Sequence, residues 1–585
     1  MLKVYPNGFG DEFVAAFKEK HQKHCLAVLR AADLFLEGKV EIFGIESDLD
    51  DLLRDIDPTT GEKWPQLPYK DYRFHAGAAP ADVKFFWEYM KHYFLVDAGK
   101  AYLLTKDEKY VAKSREFMER WMEKTHFGIG VSWIGHVHIC QRMLSWFSWL
   151  NLTKGSQVLD DGFYRRVDQY LREQEELLSS EYENPRNNHK LVSIMTVCLC
   201  HLHFGREEGL DIWMERLRET TNQLIFRDGG FIEQSTSYHR LCVEALLVLG
   251  IALQNHGLEV PDFILDGIER SLNYFAALLA PGGTLPIVGD NSNEILIHRA
   301  NDFWAMEYLF HLAAFLGITV KSLCSEDSEA LFYLGSSTEV EEPFKCSGSF
   351  SFPDVGHYVI KDEKNYAFLR AGQFGMYYSE QDRSGHPHSH CDQLGVVLYL
   401  DGLEVLTDPG TYRYNQSDFE RRIMKDESYH STFLVDDVHQ GIYTSSFSYA
   451  HTVDGNGRAN GRTIIGELEI GGVKAVRKVT LNQGECEVED EYRILDGREH
   501  QLQIFFCLSP RFTPVEVDQT QVLLQHIGTR KYLALKHDLG LMPEVYPGYV
   551  SREYNQAEPN QRLAFKTTLK QDLKVNFKFR FVSKD

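Results

Sequence analysis

Cysteine is sparse in this chain, ten in 585 residues, scattered from Cys25 to Cys507 with Cys198-Leu-Cys200 as the one close pair. That excludes a disulfide-stapled scaffold and leaves free, mostly buried thiols as the expectation. Positive charge is also short. Against 85 Asp and Glu stand 62 Lys and Arg, for a net charge of −23, and a field of that sign repels nucleic acid and anionic lipid. No apolar run of membrane-spanning length is evident, and the opening Met1-Leu-Lys-Val-Tyr-Pro-Asn-Gly8 is unlike a signal peptide. The expectation is a cytoplasmic protein without nucleic-acid or membrane partners, or a periplasmic or secreted one if a leader has been removed. Repeats and low-complexity tracts are missing too. What is present is a globular composition, 43% hydrophobic, 25% charged and 13% aromatic, in a chain too long for one core, so at least two domains are expected.

From about residue 12 to 320 the apolar pattern is helical. Ile264, Ile268, Leu272, Phe275 and Leu279 recur at spacings of three and four and fall on one helical face. The stretches 81–121, 134–151, 161–180, 190–204, 210–226 and 239–255 also read as helices, punctuated by Asp228-Gly-Gly and Pro281-Gly-Gly. Such a series predicts paired helical hairpins curling into a solenoid or toroid. After about residue 345 the period becomes two: Leu573, Val575, Phe577, Phe579 and Phe581 alternate with polar residues, and Leu502, Ile504, Phe506 and Leu508 recur at the same spacing. With turn signals at Asp401-Gly402, Asp454-Gly455 and Asp496-Gly497, this half predicts a large antiparallel sandwich. The acidic stretch 326–343 is the expected seam, giving domains of 1–335 and 336–585.

The densest polar cluster is Gly385-His-Pro-His-Ser-His-Cys-Asp392. In an extended backbone His386, His388, His390 and Asp392 project to one side, and imidazoles there can serve as metal ligands or proton-transfer groups. Downstream come Asp408-Pro-Gly410 and Ser428-Tyr-His-Ser-Thr432. A His/Asp/His set from three neighbouring segments suits tetrahedral zinc, with His390, Asp408 and His430 as candidate ligands, although Asp-Pro-Gly is also an ordinary turn. The ion would be structural.

Two polar islands lie in the helical half. Asn187-Asn-His-Lys190 opens a helix, where one Asn is a natural N-cap but the group exceeds capping needs. Gly229-Gly-Phe-Ile-Glu-Gln-Ser-Thr-Ser-Tyr-His-Arg240 opens another. Together they hold the parts for breaking a sugar–uronate bond by β-elimination. The uronate carboxylate must be neutralised before its α-proton can leave, a task that Asn188 and His189 fit. A base must take the C5 proton and an acid must protonate O4, roles that Tyr238 and His388 fit.

In these segments the chain resembles the heparinase II/III-like polysaccharide lyases and their alginate-lyase relatives. The resemblance is carried by Asn187-Asn-His189, Asp228-Gly-Gly through Tyr238-His239, Pro286-Ile-Val-Gly-Asp290, His388-Ser-His-Cys-Asp392, Asp401-Gly through Thr411-Tyr412 and Tyr429-His-Ser-Thr432, in that order. It implies an incomplete (α/α) toroid followed by an antiparallel β-sandwich with the cleft between them. It further implies Asn188 and His189 as carboxylate neutralisers, Tyr238 as acid and also open to the role of base, and His388 as base or its partner. His390, Asp408 and His430 fall where the family holds zinc, which would fix the loop bearing His388. His386-Pro387 adds an imidazole to the usual pattern, and Ser431 stands where Asn is expected.

The implied substrate is an acidic oligo- or polysaccharide, and its entry into a protein of charge −23 requires a local positive patch. Arg240, Lys190 and Arg413 are the candidate substrate contacts, with Arg186 and Arg383 beside the same motifs. An enzyme inside the cell would trim imported oligosaccharides. Two rivals follow from the same residues: a glycoside hydrolase using Glu233 and Asp290 as its carboxyl pair, and a non-catalytic carbohydrate-binding protein. The uronate polymer, endo or exo action and oligomeric state are not encoded in these motifs.

Overall fold

The computed structural model describes residues 2–5, 9–72, 81–182, 187–299, 303–319, 326–338, 347–379, 381, 383–414 and 418–583. The chain divides into two units. The first comprises Met1–Leu224, Arg240–Glu269 and Glu294–Pro343; the second comprises Ile225–His239, Arg270–Asn293 and Phe344–Asp585. Two segments of the helical half of the sequence, 225–239 and 270–293, thus belong with the strands.

In the first unit two kinds of helix alternate. Tyr93–Thr105, His136–Leu152 and Asn188–Phe204 are buried almost all round, whereas Lys109–Lys124, Asp161–Glu181 and Leu210–Leu224 bury one stripe and expose the rest. The buried helices pack on one another in sequence order. An inner ring needs apolar side chains on every face and an outer ring on one only, so this is the alternation of an α/α toroid. The stretch expected as one helix over 81–121 is three, Val83–Met90, Tyr93–Thr105 and Lys109–Lys124. The breaks fall at His92 and Lys106, whose backbones are left-handed; apolar periodicity runs through a sharp turn without registering it. A short hairpin, Lys39–Ile42 with Ile45–Asp48, interrupts the region read as wholly helical.

Thr236–Asn255 corrects the expectation about apolar runs. It is a 20-residue helix, long and apolar enough by composition to cross a membrane, yet its apolar 18-residue window is buried within the protein. A helix that is hydrophobic all round is as much the mark of a large soluble core as of a bilayer span. The eight described cysteines are buried, and none is in a disulfide.

The second unit is antiparallel β-structure. Among the described residues an eight-stranded sheet carries Leu573–Val582 between Glu485–Ile494 and Tyr532–His537, beside sheets of five and four strands that share its core. Val575, Phe577 and Phe579 are buried and their polar neighbours point outward, as period-two patterning requires. Asp401-Gly402, both with positive φ, makes the tight turn between Val396–Leu400 and Leu403–Leu406.

Candidate active site

Asp290 is the hub around which the second unit gathers its chemistry. The segment Pro286–Asp290 is held by the start of the Thr236–Asn255 helix: Thr236 donates to the Pro286 carbonyl at 3.0 Å and Ser235 to that of Asp290 at 2.7 Å. The Asp290 amide donates to the carbonyl of His388 at 2.9 Å. Gly289, at φ +64°, permits this approach, because a Cβ there would overlap the carbonyl oxygens of Gln234 and His388.

The Asp290 carboxylate lies 3.0 Å from Nδ1 of His388 through Oδ2 and 2.9 Å from Nε2 of His390 through Oδ1. Arg421, on the short helix Asp418–Ile423, grips both oxygens, and Thr411 donates to Oδ1 at 3.3 Å. Lys425 stands 3.7 Å away. Burial alone would raise the Asp290 pKa, but Arg421, Lys425 and the two imidazoles outweigh it and hold the carboxyl well below its ordinary range. Lys425, also buried, is pushed down to about 7, first by desolvation and then by Arg421. Neither cation was anticipated from sequence.

Tyr238 stacks on His388, ring centroids 3.7 Å apart and planes 16° from parallel. Its hydroxyl meets Ser292 Oγ and Tyr414 Oη, each at 2.7 Å. Burial, with the Asp290 charge nearby, raises the Tyr414 pKa, so Tyr414 stays a neutral donor or acceptor to Tyr238. His388 Nε2 lies 3.4 Å from Oε2 of Glu233.

His390, Asp408 and His430 come together as the spacing predicts, their ligand atoms within 4.8 Å of one another. His430 Nδ1 faces the Asp426 carbonyl at 2.9 Å, and a carbonyl only accepts, so in the neutral ring Nε2 carries the lone pair. His390 is kept neutral, its pKa pushed down to about 4 by burial. It donates Nε2–H to Asp290, which leaves the lone pair on Nδ1. The two lone-pair nitrogens are 3.2 Å apart, with Asp408 Oδ2 at 3.3 Å from His430 Nε2. Three acceptors facing one another without a donor are repulsive unless a cation lies among them. These separations approach the ~3.4 Å between ligand atoms around a tetrahedral ion with bonds of about 2.0–2.1 Å. Asp408 Oδ1 accepts the Gly410 amide at 2.8 Å, so the same residue serves both the turn and the triad.

The expectation that His386, His388, His390 and Asp392 share one side fails. The strand ends at Gly385 and His386 has φ +62°. His386 turns to the Arg383 carbonyl and Thr452, and Asp392 pairs with Arg370. Arg240 is likewise not placed for substrate. It is buried at 1% exposure, with its guanidinium on the Phe303 and Glu294 carbonyls and over the Phe303 ring. Arg413 binds Asn555 Oδ1 through Nε and Nη2 at 2.9 and 2.7 Å, and Arg383 pairs with Asp454. Lys190 sits 5.8 Å from the Tyr182 ring centre, while Arg186 lies outside the described residues.

In the helical unit Asn187 caps the helix Asn188–Phe204, its Oδ1 accepting the His189 amide at 3.1 Å. That leaves Asn188, fully buried, and His189 in the first turn, where the helix dipole favours an anion. The hydrolase pair fails on geometry. Glu233 and Asp290 lie against the two nitrogens of His388, so an imidazole fills the gap where hydrolysis needs the glycosidic bond.

Residues 55–310 match the family model described as Heparinase II/III N-terminus, and residues 346–578 that described as Heparinase II/III-like, C-terminal. Among solved structures, heparinase III superposes with a TM-score of 0.65 at 14% identity, covering 100% of this chain and 93% of that one. The heparan sulfate lyase HepC from Pedobacter heparinus gives 0.59 at 14%, covering 98% and 87%. The Streptomyces coelicolor chondroitin AC lyase gives 0.51 at 10%, covering 98% and 83%. At such identities the likeness is one of fold. No curated protein matches. With both halves matched in order over most of its length, the chain belongs to the heparinase II/III-like family of polysaccharide lyases, carbon–oxygen lyases that act on uronate-containing polysaccharides by β-elimination.

Proposed function

We propose that this lyase divides its proton transfers between Tyr238 and His388, and that Asn188 and His189 take up the uronate carboxylate. His388 receives the C5 proton at Nε2, the C5–H electron pair becomes the C4=C5 double bond, and the bond to O4 breaks as Tyr238 protonates the leaving oxygen. Tyr414 and Ser292 supply the hydrogen bonds through which the Tyr238 hydroxyl is held before the transfer and steadied after it. The observation that carries this reading is the stacked contact of Tyr238 with His388, which brings a phenol and an imidazole to one place on a rigid framework.

His390, Asp408 and His430 are proposed to hold zinc, which when bound would lock the loop bearing His388 rather than meet substrate. Elemental analysis of the purified protein is expected to give about one zinc per chain, and its absence would remove this part of the reading. The substrate is an acidic polysaccharide or oligosaccharide, and the motifs do not select among heparan-type, hyaluronan-type, alginate and other uronates.

The experiment is Tyr238→Phe, assayed against a panel of uronate polymers and oligomers for the ultraviolet absorbance of the unsaturated product. Turnover is expected to fall by about 10²–10⁴-fold with melting temperature unchanged. A variant that keeps wild-type turnover would refute the role of Tyr238.

A further inference from the structure

We infer that Asp290 is a positioning residue of the elimination, acting through His388 and tying that histidine to the His390–Asp408–His430 triad. This rests on the reading of His388 as a proton-transfer group. The Asp290 carboxylate, gripped at both oxygens by Arg421, accepts from the ring nitrogen beside it, Nδ1 at 3.0 Å, which leaves Nε2, on the Glu233 side, as the nitrogen able to take a proton. The main chain enforces the same register, because the Asp290 amide is bonded to the His388 carbonyl and Gly289 lets the two strands of chain touch. Asp290 therefore fixes both ends of the residue, backbone and ring.

Its other oxygen accepts Nε2–H of His390. One carboxylate thus sets the tautomer of a candidate catalytic histidine and of a candidate metal ligand, and orders at the triad are felt at His388 through a single group. Glu233, 3.4 Å from His388 Nε2, completes the arrangement: once the C5 proton has been taken, the imidazolium lies between two carboxylates.

The test is a double-mutant cycle with Asp290→Asn and His388→Ala, reading kcat, KM and zinc content. Asp290→Asn is expected to lower kcat by about 10²–10⁴-fold, the range in which losing the orienting carboxylate of a catalytic histidine falls, with KM within about threefold and zinc retained. In the His388→Ala background the same change is expected to cost less than about threefold, since a residue that acts through His388 has nothing left to orient. An undiminished kcat in Asp290→Asn, or an equal loss in both backgrounds, would overturn the inference. If Asp290→Asn does not fold, Arg421→Lys, which keeps the charge and loses the two-point grip, replaces it in the same cycle. About tenfold is then expected with His388 present and no loss without it, and additive losses overturn the inference equally. A His388→Ala variant with full kcat would instead refute the underlying assignment of His388, a result distinct from either of these.

Discussion

The helical unit and the sheet unit each bury a network of charges, and they satisfy it in different ways. In the helical unit Glu294 accepts from Lys84, Lys91 and Gln141, and Glu88 accepts from the same two lysines. Burial works against both ammonium groups. At Lys84 the Glu294 and Glu88 charges outweigh it and raise the pKa, while at Lys91 burial prevails and lowers it. Two cations meet two carboxylates, so the network is closed and ties the Val83–Met90 helix to the chain around Glu294. In the sheet unit one carboxylate, Asp290, takes a guanidinium and two imidazoles, and each imidazole keeps a second nitrogen directed elsewhere, towards Glu233 or into the triad. A closed network can only hold elements together. An open one also leaves lone pairs and protons available for chemistry.

Breaking the two networks should therefore give different signatures. The largest stability loss is expected in the closed one. Glu294→Ala strands two buried lysines and is expected to cost about 3–5 kcal/mol, read as a shift in urea midpoint. A change below ~1 kcal/mol would show that the lysines find water or other partners. At the open network, Gly289→Ala places a Cβ against two carbonyl oxygens at a left-handed φ. About 1–3 kcal/mol is expected, together with a loss of kcat beyond what the unfolded fraction explains, because the strain falls on His388. A stability loss with kcat intact in the folded fraction would separate this backbone contact from the chemistry.

The smallest effect sharpens the comparison through pH. His239, buried in the sheet unit against Phe231 and Ser271, has its pKa pushed from 6.5 to about 3 by desolvation. The unfolded chain takes up a proton near pH 6.5 that the folded chain refuses until about 3. Its contribution to stability is thus fully present above pH 6.5 and is lost progressively as pH falls from 6.5 towards 3. His239→Gln is expected to flatten the decline in urea midpoint between pH 7 and pH 5. An unchanged slope would assign the acid sensitivity to other histidines.

Much of the fold was legible because its signals are local. Ile264, Ile268, Leu272 and Phe275 line the buried face of Asp262–Leu278, and Val575, Phe577 and Phe579 that of the final strand, as their spacing predicts. The convergence of His390, Asp408 and His430 was also legible, since each sits beside a strand of the same unit. Arg421, Lys425 and Tyr414 were not. Arg421 lies 131 residues from Asp290, and no local period marks a charge that will be buried on a distant carboxylate. The available hints were Arg421 and Lys425 one helical turn apart and the aspartate closing Pro286-Ile-Val-Gly-Asp290. Arg240 misled for the converse reason: proximity in sequence to Tyr238 says nothing about which carbonyls its guanidinium will reach.

The amino-acid sequence alone determined the helices-then-strands order, the faces that would be buried and the residue types able to run a β-elimination, because periodicity and side-chain chemistry are properties of short segments. Only the tertiary structure decided that Asp290 would be the common acceptor of His388 and His390, that Tyr238 would stack on His388, and that Arg240 would be spent on backbone carbonyls. Those outcomes depend on which distant segments share a buried space, where each polar group must find a partner or carry an unmet desolvation cost.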